Sequence, residues 1–175
     1  FTTSNWNTAQ TVTVTGVDDN LDDGDITTTL TATASNTGGY AGTETATATL
    51  QTSDDDSSGI TIAQASTPLV TTEAGSTASF TVVLDAKPTD SVTVSITGDD
   101  STEHQLSASS LTFTTSNWNT AQTITVTGVD DNLDDGDITT TLTATASNTG
   151  GYAGTETATT TVKNADDDTA GITIA

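Results

Sequence analysis

The segment Gln122-Thr-Ile-Thr-Val-Thr-Gly-Val-Asp-Asp-Asn-Leu-Asp-Asp-Gly-Asp-Ile-Thr-Thr-Thr-Leu-Thr-Ala-Thr-Ala146 decides the fold. Ile124 and Val126 alternate with Thr123, Thr125 and Thr127. After the acidic break, Ile138, Leu142 and Ala144 share one face among further threonines. Alternation at period two, bounded by Gly, Asp and Asn, predicts two half-buried strands joined by a loop. β-Branched Thr, Val and Ile suit a pleated surface. Working outward, the same pattern predicts seven strands over 60–72 (broken near Pro68), 77–85, 91–97, 105–114, 121–129, 138–147 and 155–163. Phe80, Val82 and Leu84 form an inward face on the second, and Phe113 and Trp118 are expected in or beside the core. No helical periodicity is legible. Seven antiparallel strands over about 110 residues predict an all-β, immunoglobulin-like β-sandwich.

The segment is also one copy of a repeat. Residues 1–63 and 113–175 match at 55 of 63 positions, an offset of 112 residues. That period is too long for a solenoid unit and fits whole tandem domains. Taking Asp54-Asp55-Asp56 and Asp166-Asp167-Asp168 as domain ends, the expected organisation has three parts. Residues 1–56 are the C-terminal half of one repeat, 57–168 a complete domain, and 169–175 the opening strand of a third. A half domain without its first strands is not expected to bury a core alone. The slice implies a longer tandem parent.

Composition narrows the function. The 175 residues carry 24 acids against Lys87 and Lys163, a net charge of −22. Nucleic acid and anionic membrane surfaces, which select Lys and Arg, are unexpected partners. No apolar run is long enough to span a membrane and no signal-peptide pattern is legible, so no direct membrane insertion is expected. The chain has no Cys, and His104 is its single histidine, which excludes thiol chemistry and a histidine metal cluster. An enzyme is not expected: the paired acids have many redundant neighbours and no evident cleft. His104, in Ser101-Thr102-Glu103-His104-Gln105, is expected on the surface.

Chain direction in an antiparallel sandwich places Glu73, Asp99, Asp100, Asp130, Asp131, Asp134, Asp135, Asp137 and Asp166 to Asp168 at one pole, eleven of the 15 acids between residues 57 and 168. Two carboxylates about 6 Å apart repel by roughly 0.7 kcal/mol even at bulk dielectric. Gathering so many demands a counterion, and Ca²⁺, which takes 6–8 hard oxygen ligands in flexible geometry, fits better than Mg²⁺. An EF-hand loop begun at Asp131 fails, since Leu133 and Leu142 occupy ligand positions.

The ordered combination Thr-Glu-Ala-Gly (72–75), Leu-Thr-Phe-Thr (111–114), Asn-Trp-Asn (117–119), Val-Asp-Asp (129–131) and Asp166 to Asp168 resembles a Calx-β domain. More closely it is similar to the tandem extender repeats of giant bacterial RTX-type surface adhesins. The resemblance covers 57–168 and 1–56, and it implies calcium ligands at Glu73, Asp130, Asp131, Asp135 and Asp166, Asp167 and Asp168. In the partial repeat it implies Asp18, Asp19, Asp23 and Asp54, Asp55 and Asp56, with Asp22 beside them. Gly98-Asp99-Asp100-Ser101 departs from the family's pattern, so Asp99 and Asp100 rest on the pole argument alone.

The expected function is a calcium-stabilised stalk on a bacterial cell surface, secreted, with several ions per repeat. Its partners would be neighbouring repeats of the same chain, with Asp54 to Asp56 near the loops at 85–90 and 151–152 of the next domain. Ten-residue strands give a reach of about 35–45 Å per repeat. Calcium would take the stabilising place of disulfides. Two rival readings are a calcium sensor and a glycan- or ice-binding module using outward rows such as Thr139, Thr141, Thr143 and Thr145; the bland reading of those rows is solvent-facing strand threonine.

Overall fold

A computed structural model describes residues 1–174. The chain divides into two units. Unit 1 comprises Phe1–Asp19 and Asp25–Ser53, and unit 2 comprises Asn20–Gly24 and Asp54–Ala175.

Unit 2 is an all-β sandwich. Its strands are β3 (Ile60–Gln64), β4 (Leu69–Thr72), β5 (Thr77–Leu84), β6 (Val92–Thr97), β7 (His104–Leu106), β8 (Ser110–Phe113), β9 (Gln122–Gly128), β10 (Ile138–Ala146) and β11 (Thr157–Ala165). One sheet runs β3-β5-β9-β7 and the other β4-β11-β10-β6-β8. Alternation decides what lies between them. Phe80, Val82, Leu84, Ile124 and Val126 from the first sheet meet Val92, Val94, Phe113, Leu142, Ala144 and Val162 from the second in one buried cluster. Trp118 packs against its edge. The intervening threonines stand half-buried or exposed.

The seven strands expected from the sequence become nine, because two of them change sheets. The first breaks before Pro68, which has no N–H to continue a ladder. β3 pairs with β5, and β4 crosses to lie parallel with β11. That parallel pair is an exception to the all-antiparallel expectation. The strand expected over 105–114 also divides. Ser107 makes the last bonds to β9, donating its N–H to Thr125 O at 2.8 Å and accepting Thr125 N–H at its Oγ at 2.9 Å. The carbonyl of Ser109 then accepts the N–H of Ile96 at 2.8 Å, handing the chain over to β6.

In unit 1, β1 (Ile26–Thr33) and β2 (Thr45–Thr52) form a two-stranded antiparallel ribbon in full register. No residue of unit 1 is buried. Phe1 is 84% exposed where its repeat equivalent Phe113 is 0% exposed. Residues 10–16, which match strand β9, carry no ladder. Residues 169–174, expected to open a further repeat, also carry none, and Ala175 lies outside the described residues.

Urea unfolding of paired variants tests this asymmetry. Phe113→Ala should cost about 3–5 kcal/mol, while Phe1→Ala, at the matching repeat position, should stay within about 0.5 kcal/mol. Equal costs would mean that unit 1 buries its apolar face.

Candidate metal centre

Four strand ends meet at one pole of the sandwich. β4 ends at Thr72 and delivers Glu73; β9 ends at Gly128 and delivers Asp130 and Asp131; β11 ends at Ala165 and delivers Asp166 to Asp168; Glu103 immediately precedes β7. Register aligns them, since Ala165 pairs with Thr72 and His104 with Gly128. Gly128 is the point of closest approach. A Cβ there would lie 2.2 Å from the Thr72 carbonyl oxygen and 2.6 Å from Asn164 Oδ1, so only glycine lets these ends converge. Beneath them Asn164 is buried, and it ties the layers together. Its Nδ2 donates to Val129 O at 3.1 Å and to Glu103 Oε2 at 3.4 Å, and its Oδ1 accepts the Thr71 hydroxyl at 2.9 Å.

The convergence creates three sets of carboxylates whose oxygens lie mutually within 4.8 Å: Glu73 with Asp130 and Asp167, Glu73 with Asp166 and Asp168, and Glu103 with Asp131 and Asp135. Backbone bonds fix several members. Asp166 accepts the N–H groups of Gly136 at 2.8 Å and Asp168 at 2.9 Å. Glu73 accepts the Asp167 N–H at 3.3 Å. Asp168 Oδ2 is buried without a hydrogen-bond partner. Neither lysine neutralises these sets. Lys163 is held by Asp137 at 2.6 Å, and Lys87 lies on the turn between β5 and β6, beside Tyr152 and Gly150 at the other pole.

The electrostatics follow. Glu73 is 3% exposed, and desolvation first, then Asp166, Asp131 and Asp167, holds its carboxyl above the usual range. Desolvation and then Asp167, Asp166, Asp130 and Asp131 do the same to Asp168. Asp137 moves the other way, lowered by its bond to Lys163 and by the Asp166 N–H. A crowded, partly desolvated group of carboxylates without a protein cation is a hard-oxygen ligand set for a divalent ion.

Of the expected residues, Glu73, Asp130, Asp131, Asp135, Asp166, Asp167 and Asp168 are brought together. Asp134 is turned to another task, accepting the Ala170 N–H at 2.7 Å. Asp100 is consumed by its own turn. Its carboxylate takes the N–H and hydroxyl of Thr102 at 3.1 and 2.6 Å, and its carbonyl takes the N–H groups of Glu103 and His104. Asp99 lines a separate cavity with His104. Asp54, Asp55 and Asp56 form a set of their own. Asp22 accepts the Ser58 N–H at 2.7 Å, the counterpart of the Asp134 bond. Asp54 accepts the N–H groups of Asp23 and Gly24 at 3.0 and 2.6 Å. Asp18 and Asp19 join no set of three carboxylates among the described residues.

Two residues were missed and one was misplaced. Glu103 was passed over as part of a polar stretch; its signal was an acid at the mouth of a strand on the acidic pole. Asn164 carried no signal, since its place beneath four strand ends is set by pairing across the sheets. His104 was expected on the surface and is 1% exposed, because register opposite Gly128 turns it inward.

At the opposite pole of unit 2, Tyr152 donates its hydroxyl to Ala86 O at 2.8 Å and is buried. Asn20 O accepts the Lys87 N–H at 2.7 Å. Leu21, Asp22 and Asp23 line a small cleft with Ala86, Lys87 and Tyr152. Residues 20–24 therefore lie at the loops 85–90 and 150–152, and Asp54 is bonded to this segment through the N–H groups of Asp23 and Gly24.

No family model matches this chain, and no curated protein matches it. Among solved structures it overlaps the YadV chaperone (TM-score 0.45, 10% identity, 65% of this chain and 54% of that one). It also overlaps a PapD-like domain of human CEP192 (TM-score 0.45, 15% identity, 63% and 87%). A third is domains 4 and 5 of the S-layer protein SbsC (TM-score 0.40, 20% identity, 69% and 63%). The chain spans about half the length of the YadV chaperone it matches. At TM-scores below 0.5 these overlaps assign neither a family nor a function.

The pole makes a pH prediction. A carboxyl with a raised folded pKa stabilises the fold on the acid side and loses that contribution as pH rises through the folded value. In metal-free protein, Glu73→Gln should therefore raise the melting temperature at neutral pH and leave it nearly unchanged well below pH 4.5, the ordinary glutamate value. A drop at neutral pH in EDTA would show that the Glu73 charge is not repelled there.

Proposed function

We propose that the acidic pole binds calcium and that the chain is a calcium-stabilised structural repeat, a stalk segment of a secreted bacterial surface adhesin. The observation that carries the calcium reading is the set of seven expected carboxylates, joined by Glu103, lying within 4.8 Å in groups with no protein cation among them. The residues fit the ion. Every donor is a hard oxygen, two of the three groups share Glu73, and the buried, unpartnered Asp168 Oδ2 is an acceptor in want of a cation. Bound there, calcium supplies positive charge that cancels the mutual repulsion of the strand ends. The chain's own residues do the rest: Gly128 permits the approach, Asn164 holds the layers in register, and the Gly136 N–H fixes Asp166.

The stalk reading rests on the near-identical 112-residue repeat, on the sheet order β3-β5-β9-β7 against β4-β11-β10-β6-β8, which suits an immunoglobulin-like sandwich, and on the seating of residues 20–24 against Lys87 and Tyr152. Repetition of one sequence extends length and adds no new recognition.

Thermal unfolding in millimolar CaCl₂ against EDTA tests the first part. Calcium at about 100 times its dissociation constant should add about 2.7 kcal/mol per site, and Asp168→Asn should remove most of the gain. Equal midpoints in the two buffers would overturn the calcium reading. Small-angle scattering of a tandem array of 57–168 tests the second: the maximum dimension should grow with calcium, and an unchanged value would refute a calcium-stiffened stalk.

A further inference from the structure

The loop Val17–Asp25 recurs unchanged as Val129–Asp137, yet its leucine stands in two environments. Leu133 is 63% exposed. Leu21, at the matching position, is half-buried. Val12, Val14, Val17 and Ile26 around it are all exposed, so the cover over Leu21 is local. It comes from the pole of unit 2 opposite the carboxylate sets, since residues 20–24 are part of that unit. There Leu21 lines a small cleft with Ala86, Lys87, Thr89, Gly150 and Tyr152. The receiving wall is held by bonds of its own. The Tyr152 hydroxyl donates to Ala86 O at 2.8 Å and accepts the Ala86 N–H at 3.3 Å, and the Thr89 N–H donates to Gly150 O at 2.9 Å. Gly150, at φ +63°, has no room for a Cβ, which would lie 2.6 Å from the Asp90 carbonyl oxygen.

The loop itself is tied down in the same way in both copies. The Gly24 N–H donates to Asp54 at 2.6 Å, and the Gly136 N–H to Asp166 at 2.8 Å. The Ser58 N–H donates to Asp22 at 2.7 Å, and the Ala170 N–H to Asp134 at 2.7 Å. These bonds join each loop to the segment that follows its Asp triplet, Ser-Ser-Gly-Ile-Thr-Ile (57–62) in one case and Thr-Ala-Gly-Ile-Thr-Ile (169–174) in the other. A loop already ordered loses little freedom on docking. Charge also matches: Lys87, one of only two lysines, stands on the wall of the cleft that Asp22 and Asp23 line from the loop side.

We propose that Leu133 is a docking residue for a second copy of the 57–168 domain, entering that copy's cleft of Ala86, Lys87 and Tyr152 as Leu21 enters this one. The Asn132 carbonyl then takes the N–H of that copy's Lys87, as Asn20 O takes the Lys87 N–H here at 2.7 Å. The inference rests on the stalk reading, which supplies the second copy, and adds to it the side chain that docks and the cleft that receives it. Plug and cleft sit at opposite poles of one domain, so the contact is head-to-tail and non-closing, and each added copy prolongs a line. Leu133 is no member of the carboxylate sets, which makes docking separable from ion binding.

Lys87 and Lys163 are the chain's only lysines, so ¹⁵N-lysine labelling gives two amide signals. Hydrogen exchange at Lys87 reads the seated loop through its bond to Asn20 O. All samples are saturated with calcium. In the 175-residue chain, Leu21→Ala should speed exchange at Lys87 at least about tenfold and leave Lys163 unchanged, while Leu133→Ala should move neither. The chain is then continued by a copy of residues 64–168, so that 169–175 open a complete second domain. The added domain's counterpart of Lys87 should be as protected as Lys87 itself. Leu133→Ala should now speed its exchange at least about tenfold, and the volume-conserving Leu133→Met should not. Free exchange at that counterpart, protection that survives Leu133→Ala, or equal acceleration at both lysines of a domain would overturn the proposal. Scattering with and without calcium is read on the same continued chain. A maximum dimension that grows with calcium beside an unprotected counterpart keeps the stalk reading and removes the docking residue; the reverse result keeps the docking residue and refutes calcium stiffening.

Discussion

The structure depends on how mutual carboxylate repulsion is balanced at one end of the sandwich. Two charges 4.8 Å apart repel by about 1 kcal/mol at the dielectric of water, and by several times more beside protein. Three such groups share the ends of β4, β9 and β11 and the start of β7. The balance is a large fraction of a domain's net stability, which is of order 5–15 kcal/mol. The apolar core cannot absorb it comfortably, being built from Val, Ala, Leu and Ile with Phe80 and Phe113 as its only phenylalanines. A chain of net charge −22 without disulfides thus places its main stabilising lever at the pole rather than in the interior.

That lever acts through the sheets. The parallel step from β4 to β11 and the crossing from β7 to β8 bring acids from four separate strand ends to one place. Gly128 and Asn164 make the approach physically possible: the first by lacking a Cβ, the second by giving its donors and acceptor to three different elements. Neutralising the pole would tighten both sheets at once, because each sheet supplies ligands to it. The crossing from β7 to β8 has a second consequence. It leaves an open recess at the sandwich edge, lined by Ile96, Asp99, Gln105 and Leu106 beside His104.

Much was legible in the sequence. The alternation in Ile124-Thr-Val126 gave both the strand and its buried face, and the acidic clusters in loops of one parity gave the pole and seven of its carboxylates. The rest was not legible for a definable reason. Asp100 and Asp134 look the same in sequence as Asp130 and Asp135, yet among the described residues only the latter two join a set of three acids; one oxygen of Asp100 takes the Thr102 N–H and hydroxyl, and one of Asp134 the distant Ala170 N–H. Glu103 and His104 sit in an unremarkable polar stretch, and only the register opposite Gly128 turns them inward. The split strands follow from which sheet each end can pair with, and periodicity is blind to that.

The duplicated segment separates the two kinds of information. Motifs closed within a few residues occur in both copies. Glu44 and Glu156 each collect N–H groups from their own turn. Asn5 and Asn117 each accept from the threonine three residues before. The ribbon β1–β2 repeats the pairing of β10–β11. Long-range features occur once. Tyr152 is 3% exposed and Tyr40 is 55% exposed, and Val12 and Val14 lie open where Ile124 and Val126 are sealed. By itself the sequence determined turns, hairpins and the strand faces, because their partners are neighbours along the chain. Only the tertiary structure decided which faces are buried and which acids share a site, because burial and charge convergence at 113–168 depend on pairing with strands from residues 60–113, distant along the chain.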